Sequence, residues 1–220
     1  VYIADESLKR VSIFDKDGKF LSQWGVKGSA DGQLEYPSSI AFDADDNLWL
    51  TDSGNHRVLK FTQDGQLLSA WGQQGSGPGQ FQGPWGLALT DGGDVYISDW
   101  GNDRIQHYSA DGALIEEFAG LSEGDAIHRP AGLSVDGEGN IYVADWGNER
   151  VQVIGPDGTF HTMLHGEATV SQWAGEWLEA NQDELQARNK SDLLIKELPS
   201  HLRTPYHVGS QTESRFWGPV

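Results

Sequence analysis

The chain has no cysteine among its 220 residues. Disulfide bonds, thiol nucleophiles and cysteine-ligated zinc sites are therefore excluded. Basic residues are also scarce, because 15 Lys and Arg stand against 33 Asp and Glu, which gives a formal net charge of −18. A surface this acidic repels phosphate backbones, so direct binding of nucleic acid is disfavoured.

Long apolar runs are missing as well. No stretch approaches the roughly 20 consecutive apolar residues of a membrane span. The sequence shows no signal peptide, and it begins inside a strand-like pattern rather than at a methionine. We therefore expect the natural polypeptide to be longer at one end or both. The acidic, cysteine-free, Trp-rich composition favours an extracytoplasmic location, periplasmic or secreted, with a cytoplasmic one as the alternative.

A repeat dominates the sequence. Four segments that begin at residues 1, 48, 95 and 141 align without gaps: VYIADESLKRVSIFDKDG, LWLTDSGNHRVLKFTQDG, VYISDWGNDRIQHYSADG and IYVADWGNERVQVIGPDG. In the second copy, residues 38–47, 48–52, 57–63 and 66–72 read as short strands separated by turns, including an Asp-Gly hairpin signal. Four antiparallel strands in a unit of about 46 residues predict one blade of a β-propeller.

One Asp and one Arg recur in every copy. The Asp ends the second strand of the unit and the Arg begins the third, so the turn between them brings the carboxylate and the guanidinium together. A pair repeated in every unit is more typical of a structural clasp than of a catalytic site. The predicted clasps are Asp5 with Arg10, Asp52 with Arg57, Asp99 with Arg104 and Asp145 with Arg150.

The repeat resembles a known family. The pattern Asp-x-Gly-Asn-x-Arg-[Ile/Val], an Asp-Gly turn, and then Trp-Gly…Gly-Gln-Phe…Pro-x-Gly-Leu is similar to the NHL repeat of bacterial-type NHL repeat proteins. This resemblance implies an all-β fold, an NHL-type β-propeller of four-stranded antiparallel blades. The chain would hold about four of an expected six blades. The Trp-Asp repeat propeller is a rival, but here Asp precedes Trp.

The resemblance also divides the chain. Residues 1–166 hold a first blade that is incomplete at its start and three complete blades, and residues 216–220 begin a further one. Residues 167–215 interrupt the repeat, with a helix predicted from about 171 to 188. This helix either folds back on the propeller or projects as an arm in which Trp173 and Trp177 contact a partner.

Catalytic chemistry finds little support. Some NHL-like propellers, such as the peptide-amidating lyase, hold a metal through His side chains that converge in the central channel. Here His56, His107 and His128 occupy different positions of the repeat, so we predict no catalytic residue, no metal site and no cofactor. The acidic segment 43–47 lacks the Gly and the distal Glu of a calcium loop and is interpreted as a turn.

Two variable positions beside the clasp carry a different signal. Aromatic residues follow the clasp Asp in two copies, and polar residues precede the clasp Arg. In propellers these turns share one face with the connections between blades, where a further Trp follows a Pro. We therefore predict an acidic, aromatic binding face made of Trp85, Trp100, Trp146, His56, Asp103 and Glu149.

These observations favour a non-enzymatic propeller scaffold that mediates protein–protein interaction, as a peripheral subunit of a larger assembly. A basic peptide or a sugar would also fit the predicted face. The alternative is an extracytoplasmic enzyme or ligand-binding propeller, lyase-like or lactonase-like, with a metal or ligand in the channel. The resemblance leaves both open, because one fold serves unrelated functions.

Overall fold

The computed structural model describes residues 1–119 and 126–165. All described residues belong to one compact unit. Within these two ranges, no helix has the length and apolar composition needed to cross a membrane. The predicted helix at 171–188, with Trp173 and Trp177, and the predicted blade start at 216–220 lie outside the described residues.

The described residues form four antiparallel sheets, one of three strands and three of four. Sheet 1 consists of β1 (Tyr2–Asp5), β2 (Arg10–Phe14) and β3 (Phe20–Trp24). Sheet 2 consists of β4 (Pro37–Phe42), β5 (Leu48–Asp52), β6 (Arg57–Phe61) and β7 (Leu67–Trp71). Sheet 3 consists of β8 (Pro84–Leu89), β9 (Val95–Asp99), β10 (Arg104–Tyr108) and β11 (Leu114–Phe118). Sheet 4 consists of β12 (Pro130–Val135), β13 (Ile141–Asp145), β14 (Arg150–Ile154) and β15 (Phe160–His165).

The sheets follow one another as the blades of a partial β-propeller. Within each sheet the strands pair in chain order, and the first strands of consecutive sheets pack side by side, β4 against β1 and β8, and β8 against β12. This arrangement confirms the predicted all-β fold of four-stranded antiparallel blades. In sheet 2, β5 has the predicted bounds 48–52. The other three strands end before the predicted segments 38–47, 57–63 and 66–72 do, because the flanking turn residues stay outside the ladders.

The hydrophobic core is divided into layers between neighbouring sheets. All five residues of β5 are buried. Because successive side chains in a strand point to opposite faces, Leu48 and Leu50 pack toward sheet 1, whereas Trp49 packs toward sheet 3. A third layer lies between sheets 3 and 4 and includes Tyr96 and Val143. One sheet alone could not bury both of its faces, so each one depends on its neighbours.

The connections between sheets also contribute to these layers. Leu34, Phe81 and Ile127 lie in the segments that precede β4, β8 and β12, and each is buried in the layer beside its own sheet. A fully buried side chain of this size stabilises a fold by about 1.5–3 kcal/mol. Each connection is therefore anchored at one apolar point just before the first strand of its sheet.

The clasp fixes the same connections by polar contacts. In sheet 2 the carboxylate of Asp52 is fully buried. Its Oδ1 accepts hydrogen bonds from the backbone N–H groups of Glu35 (2.9 Å) and Tyr36 (3.2 Å), and its Oδ2 accepts from Asn55 Nδ2 (2.7 Å) and Arg57 Nε (3.1 Å). One carboxylate therefore joins the end of β5, the turn that follows it, the start of β6 and the connection before β4.

The guanidinium of Arg57 completes this arrangement. Its terminal nitrogens donate to the backbone carbonyls of Ser29 (3.0 Å), Ala30 (3.1 Å) and Gln33 (2.8 Å), which lie in the connection between sheets 1 and 2. The fixed fork of an arginine is well suited to several acceptors at once. The pair is therefore a joint between two sheets as well as a contact within one.

The same geometry recurs in sheets 3 and 4. Arg104 Nε lies 3.0 Å from the Asp99 carboxylate, and Arg150 Nε lies 2.7 Å from that of Asp145. In sheet 1, Asp5 and Arg10 face each other in register, but the described residues show no ion pair between them, and Arg10 Nε has no hydrogen-bond partner there. The structure thus brings together three of the four predicted pairs.

We expect Asp99→Ala to lower the free energy of unfolding by about 3–5 kcal/mol, since the buried Arg104 guanidinium keeps only the partly exposed Glu117 as a counter-charge and the Gln82 and Asn102 donors lose this acceptor. Urea unfolding followed by tryptophan fluorescence measures this change. Asp5→Ala is the matched control, and it should lower the free energy of unfolding by less than about 1 kcal/mol. Equal losses at the two positions would show that the clasp does not carry the stability assigned to it.

Candidate binding face

The turn between the second and third strands of each complete sheet builds one end of the molecule. In sheets 2, 3 and 4 it is a single 3-10 turn: Ser53–Asn55, Trp100–Asn102 and Trp146–Asn148. The next residue is left-handed each time, with φ of 55° at His56, 56° at Asp103 and 53° at Glu149. That conformation costs a non-glycine residue about 1–2 kcal/mol, so the side chains at these positions call for an explanation.

The side chain of the left-handed residue reaches the next sheet. His56 Nδ1 accepts a hydrogen bond of 3.0 Å from the backbone N–H of Gly83, which precedes Pro84. Asp103 Oδ1 accepts one of 2.8 Å from the backbone N–H of Arg129, which precedes Pro130. We refer to these two contacts as latches. A glycine would adopt the backbone conformation more easily but could not form a latch, which accounts for the residues found there.

The first junction is closed by a different contact at the same place. Lys9 is the left-handed residue of sheet 1, with φ of 56°. Its ammonium lies 3.3 Å from the centre of the Tyr36 ring, and Tyr36 precedes Pro37. At the third junction the Arg129 guanidinium lies 5.0 Å from the centre of the Trp100 ring. Cation–π contacts of this kind contribute about 0.5–1 kcal/mol at exposed sites.

Large aromatic side chains are exposed at this end of the molecule. Tyr36 keeps 45% and Trp85 keeps 43% of its surface accessible, while Trp100 and Trp146 are half-buried. The backbone of Trp85 is fixed to sheet 2, because its carbonyl accepts hydrogen bonds from Thr51 Oγ1 (2.7 Å) and Ser38 Oγ (3.1 Å). The exposed ring of Trp85 is thus attached to a fixed backbone.

The six residues of the predicted face occupy three places along this end. His56 and Trp85 lie at the junction of sheets 2 and 3, where His56 binds Gly83, two residues before Trp85. Trp100 and Asp103 share Arg129 as a neighbour at the junction of sheets 3 and 4. Trp146 and Glu149 lie at the turn of sheet 4. We call the surface formed by these six residues, with Tyr36 and Arg129, the binding face.

Two of its members were not predicted from the sequence. Tyr36 and Arg129 both stand immediately before the Pro that opens a sheet, where sheet 3 has Gly83. The sequence contained a signal for them, because the residue before the Pro varies between the copies whereas the Pro itself does not. The sequence also does not reveal that His56 Nδ1 and Asp103 Oδ1 are engaged within the fold.

The charge of the binding face is slightly acidic. Asp103 and Glu149 contribute carboxylates against the one guanidinium of Arg129, and Asp103 Oδ1 also lies 3.1 Å from His128 Nδ1. Beside the face, Glu35 adds a carboxylate that lies 3.6 Å from the ammonium of Lys27. The face is therefore suited to ligands that carry positive charge beside an apolar group.

The histidines are spread over separate environments. His56 and His128 lie at two different junctions, while His107 stacks on Tyr96 at 4.1 Å and contacts Asp94 at 3.0 Å. Across residues 1–119 and 126–165, no three His, Asp or Glu side chains are grouped so that they could hold a metal ion.

The acidic turn at 43–47 uses its carboxylate internally. Asp43 Oδ1 accepts from the backbone N–H groups of Asp45 (3.0 Å) and Asn47 (2.9 Å). Its Oδ2 accepts from Trp49 Nε1 (3.0 Å) and lies 2.8 Å from Lys60 Nζ. Burial disfavours the charged carboxylate, but the Lys60 ammonium, the indole N–H and the Asn47 donors outweigh it and hold the pKa of Asp43 well below its usual range.

Comparison with known proteins supports the repeat architecture. The family model described as NHL repeat matches residues 34–61, 81–108 and 128–154. These three matches begin just before β4, β8 and β12 and end with the third strand of each sheet. No curated protein shows a significant sequence match to the chain.

Solved structures with similar folds have different activities. Virginiamycin B lyase from Staphylococcus aureus is 14% identical, with a TM-score of 0.58 over 77% of this chain and 53% of that one. A structure from the nidogen/laminin complex is 20% identical, with a TM-score of 0.57 over 74% and 58%. A gluconolactonase from Xanthomonas campestris is 22% identical, with a TM-score of 0.52 over 71% and 55%. At these identities the likeness shows the fold alone, and the chain spans about half the length of the structures it matches.

We expect His56→Ala to destabilise the protein by about 1–2 kcal/mol, because the Gly83 N–H loses its acceptor. His56→Asp should lose less than half as much, since Asp103 makes the equivalent latch at the next junction. Urea unfolding at neutral pH compares the two variants. Equal losses would mean that the imidazole stabilises the junction by packing rather than by accepting a hydrogen bond.

Acid should weaken the contribution of Asp43. Because the folded-state pKa is lowered, this contribution is complete above the ordinary Asp value of 3.8 and is lost as the pH falls below it. The difference in unfolding free energy between the wild type and Asp43→Asn should stay constant above about pH 5 and shrink below about pH 4. A difference independent of pH across this range would contradict the assignment.

Proposed function

Since the chain is an NHL-repeat β-propeller protein, we propose that it is a non-enzymatic scaffold that binds another protein through the binding face. The observation that carries this proposal is the exposure of Trp85 and Tyr36 at this end of the molecule, with the backbone of Trp85 fixed by the neighbouring sheet. Large aromatic side chains contribute much of the energy at protein interfaces. Exposed aromatic rings on a well-anchored end of a fold are typical of such contacts.

Rigidity supports the proposal further. Five side chains of the binding face are held in place, by the Lys9–Tyr36 contact, the His56 and Asp103 latches and the Arg129–Trp100 contact. A surface that is already ordered loses little conformational entropy when it binds, so more of the contact energy appears as affinity.

The charge of the face points to the chemistry of the partner. Carboxylates flank the aromatic rings, so the partner segment should carry Arg or Lys beside an apolar or aromatic residue. Pairing of such charges at the rim mainly raises the association rate and makes it sensitive to salt. A basic segment of a protein fits this face better than a phosphate backbone does.

We further propose that the protein is a peripheral subunit of a larger assembly in an extracytoplasmic compartment. The acidic, cysteine-free composition favours this location. The nidogen/laminin structure, whose fold resembles this one, belongs to a complex between proteins. The alternative is a lyase-like or lactonase-like propeller with a metal or ligand in its channel, and the fold similarity to such enzymes is the observation in its favour.

Native mass spectrometry on the protein from its own source is the first test. A complex of fixed stoichiometry with another protein is the expected result. A protein that travels alone with the excess mass of a bound metal would contradict the scaffold proposal and favour the channel enzyme.

The identified partner then permits a test of the face. We expect Trp85→Ala to weaken binding about 30-fold, which corresponds to the loss of about 2 kcal/mol at an interface centre. Ile115→Ala, on the outer strand β11, removes another exposed apolar side chain and should leave the affinity unchanged. Isothermal titration calorimetry compares the two variants. Equal affinities for Trp85→Ala and the wild type would place the interface elsewhere.

A further inference from the structure

A cleft of about 440 Å³ opens between sheets 2 and 3, at the end of the molecule opposite to the binding face. Strand β10 begins at the binding-face turn and ends at the hairpin turn Asp111–Gly112, and this hairpin forms one wall of the cleft. The opposite wall is formed by residues of β6 and β7 in sheet 2.

Equivalent junctions in the same chain are closed at this place. Between sheets 1 and 2 the indole of Trp24 covers the hairpin glycine, since a Cβ atom added to Gly65 would lie 2.5 Å from that ring. Between sheets 3 and 4 Phe118 lies 3.4 Å from the corresponding point at Gly158. At Gly112, by contrast, no described atom beyond its chain neighbours lies within 4 Å of the position that a Cβ atom would take. The aromatic residue that should cover it is Trp71.

Trp71 packs against two aromatic rings of the core, whereas the equivalent Trp24 contacts one, that of Phe61 at 4.7 Å. The ring of Trp71 meets that of Trp49 edge to face at 5.3 Å and that of Tyr108 at 5.8 Å. Position 49 explains the difference, because the other three copies have a tyrosine there, for example Tyr2 and Tyr96. The larger indole of Trp49 is fixed by Asp43 and offers Trp71 a second aromatic surface, which draws it away from the hairpin.

This arrangement leaves a donor without an acceptor. Trp24 Nε1 donates to the backbone carbonyl of Gln63 at 3.3 Å. Trp71 Nε1 is buried and has no hydrogen-bond partner among the described residues. A buried N–H without a partner costs about 1–3 kcal/mol. An oxygen in the cleft gains a contact that the fold itself does not supply when the indole turns its N–H toward the cleft.

The remaining lining determines which ligand fits. Lys60 and Asp111 place opposite charges on the cleft, and Lys60 is already paired with Asp43. A ligand of either sign would therefore meet one like charge. Ser69 adds a hydroxyl group, while Leu68 and the two indoles add apolar surface. A neutral ring with hydroxyl groups on its edge and C–H groups on its faces satisfies both kinds of lining.

From these observations we propose that the cleft is a carbohydrate-binding site that takes a neutral saccharide ring, and that the Trp71 indole turns on binding so that one of the ring's oxygens accepts its N–H. The ring faces pack against apolar side chains, and its hydroxyl groups donate to Asp111 and Ser69. The site is separate from the binding face, so it does not depend on the proposed protein-binding function.

Nuclear magnetic resonance of the full ¹⁵N-labelled chain tests this site directly. The indole N–H signal of Trp71 is identified by its loss in Trp71→Phe. Methyl glycosides of glucose, galactose and N-acetylglucosamine are then titrated one at a time. We expect a saturable shift of the Trp71 signal with at least one of them, while the Trp24 signal, whose N–H is already bonded, stays in place.

Two variants separate the site from general effects. Trp49→Tyr restores the residue of the other copies, lets Trp71 cover Gly112 and should weaken saccharide binding at least tenfold. Trp24→Phe is the matched control and should bind as the wild type does. The proposal is overturned if none of the three glycosides gives a saturable shift, or if Trp49→Tyr binds with wild-type affinity.

Discussion

The buried Asp–Arg clasp is the constraint on which the rest of the structure depends. A carboxylate with no exposure is stable only when hydrogen bonds and a counter-charge replace the water it has lost. Asp52 meets this condition by gathering donors from a turn, a strand and the connection from the previous sheet. The requirement of one side chain thereby holds the turn and the connection together.

The clasp also explains why the binding face lies where it does. Because the carboxylate holds the connection against the turn, the residue before each Pro is brought beside the neighbouring sheet. Aromatic and charged residues can then vary at these positions without altering the fold that presents them. Trp85 and Tyr36 are exposed for this reason, since the contacts that hold their backbones are made by other residues.

Much of the architecture could be predicted from the sequence, because it rests on patterns that repeat. The strands, the Asp-Gly hairpins and the propeller family follow from the alignment of four copies, and the clasp of Asp99 with Arg104 follows from its recurrence. The details of the face could not be predicted. The partner of His56 is a backbone N–H that lies 27 positions away and leaves no mark on the sequence. The orientation of Trp71 depends on the size of Trp49 in another strand, which is a property of the packed core.

The three described junctions use three different chemistries at one structural position. A lysine covers a tyrosine at the first, an imidazole accepts a backbone N–H at the second, and a carboxylate does so at the third. Near-identical blades in tandem are at risk of pairing in the wrong order or with another chain while they fold. Contacts that differ between junctions favour the correct order, since the side chain of each blade finds its partner only beside its proper neighbour. The repeat therefore carries its own assembly order, in a position at which all four copies differ.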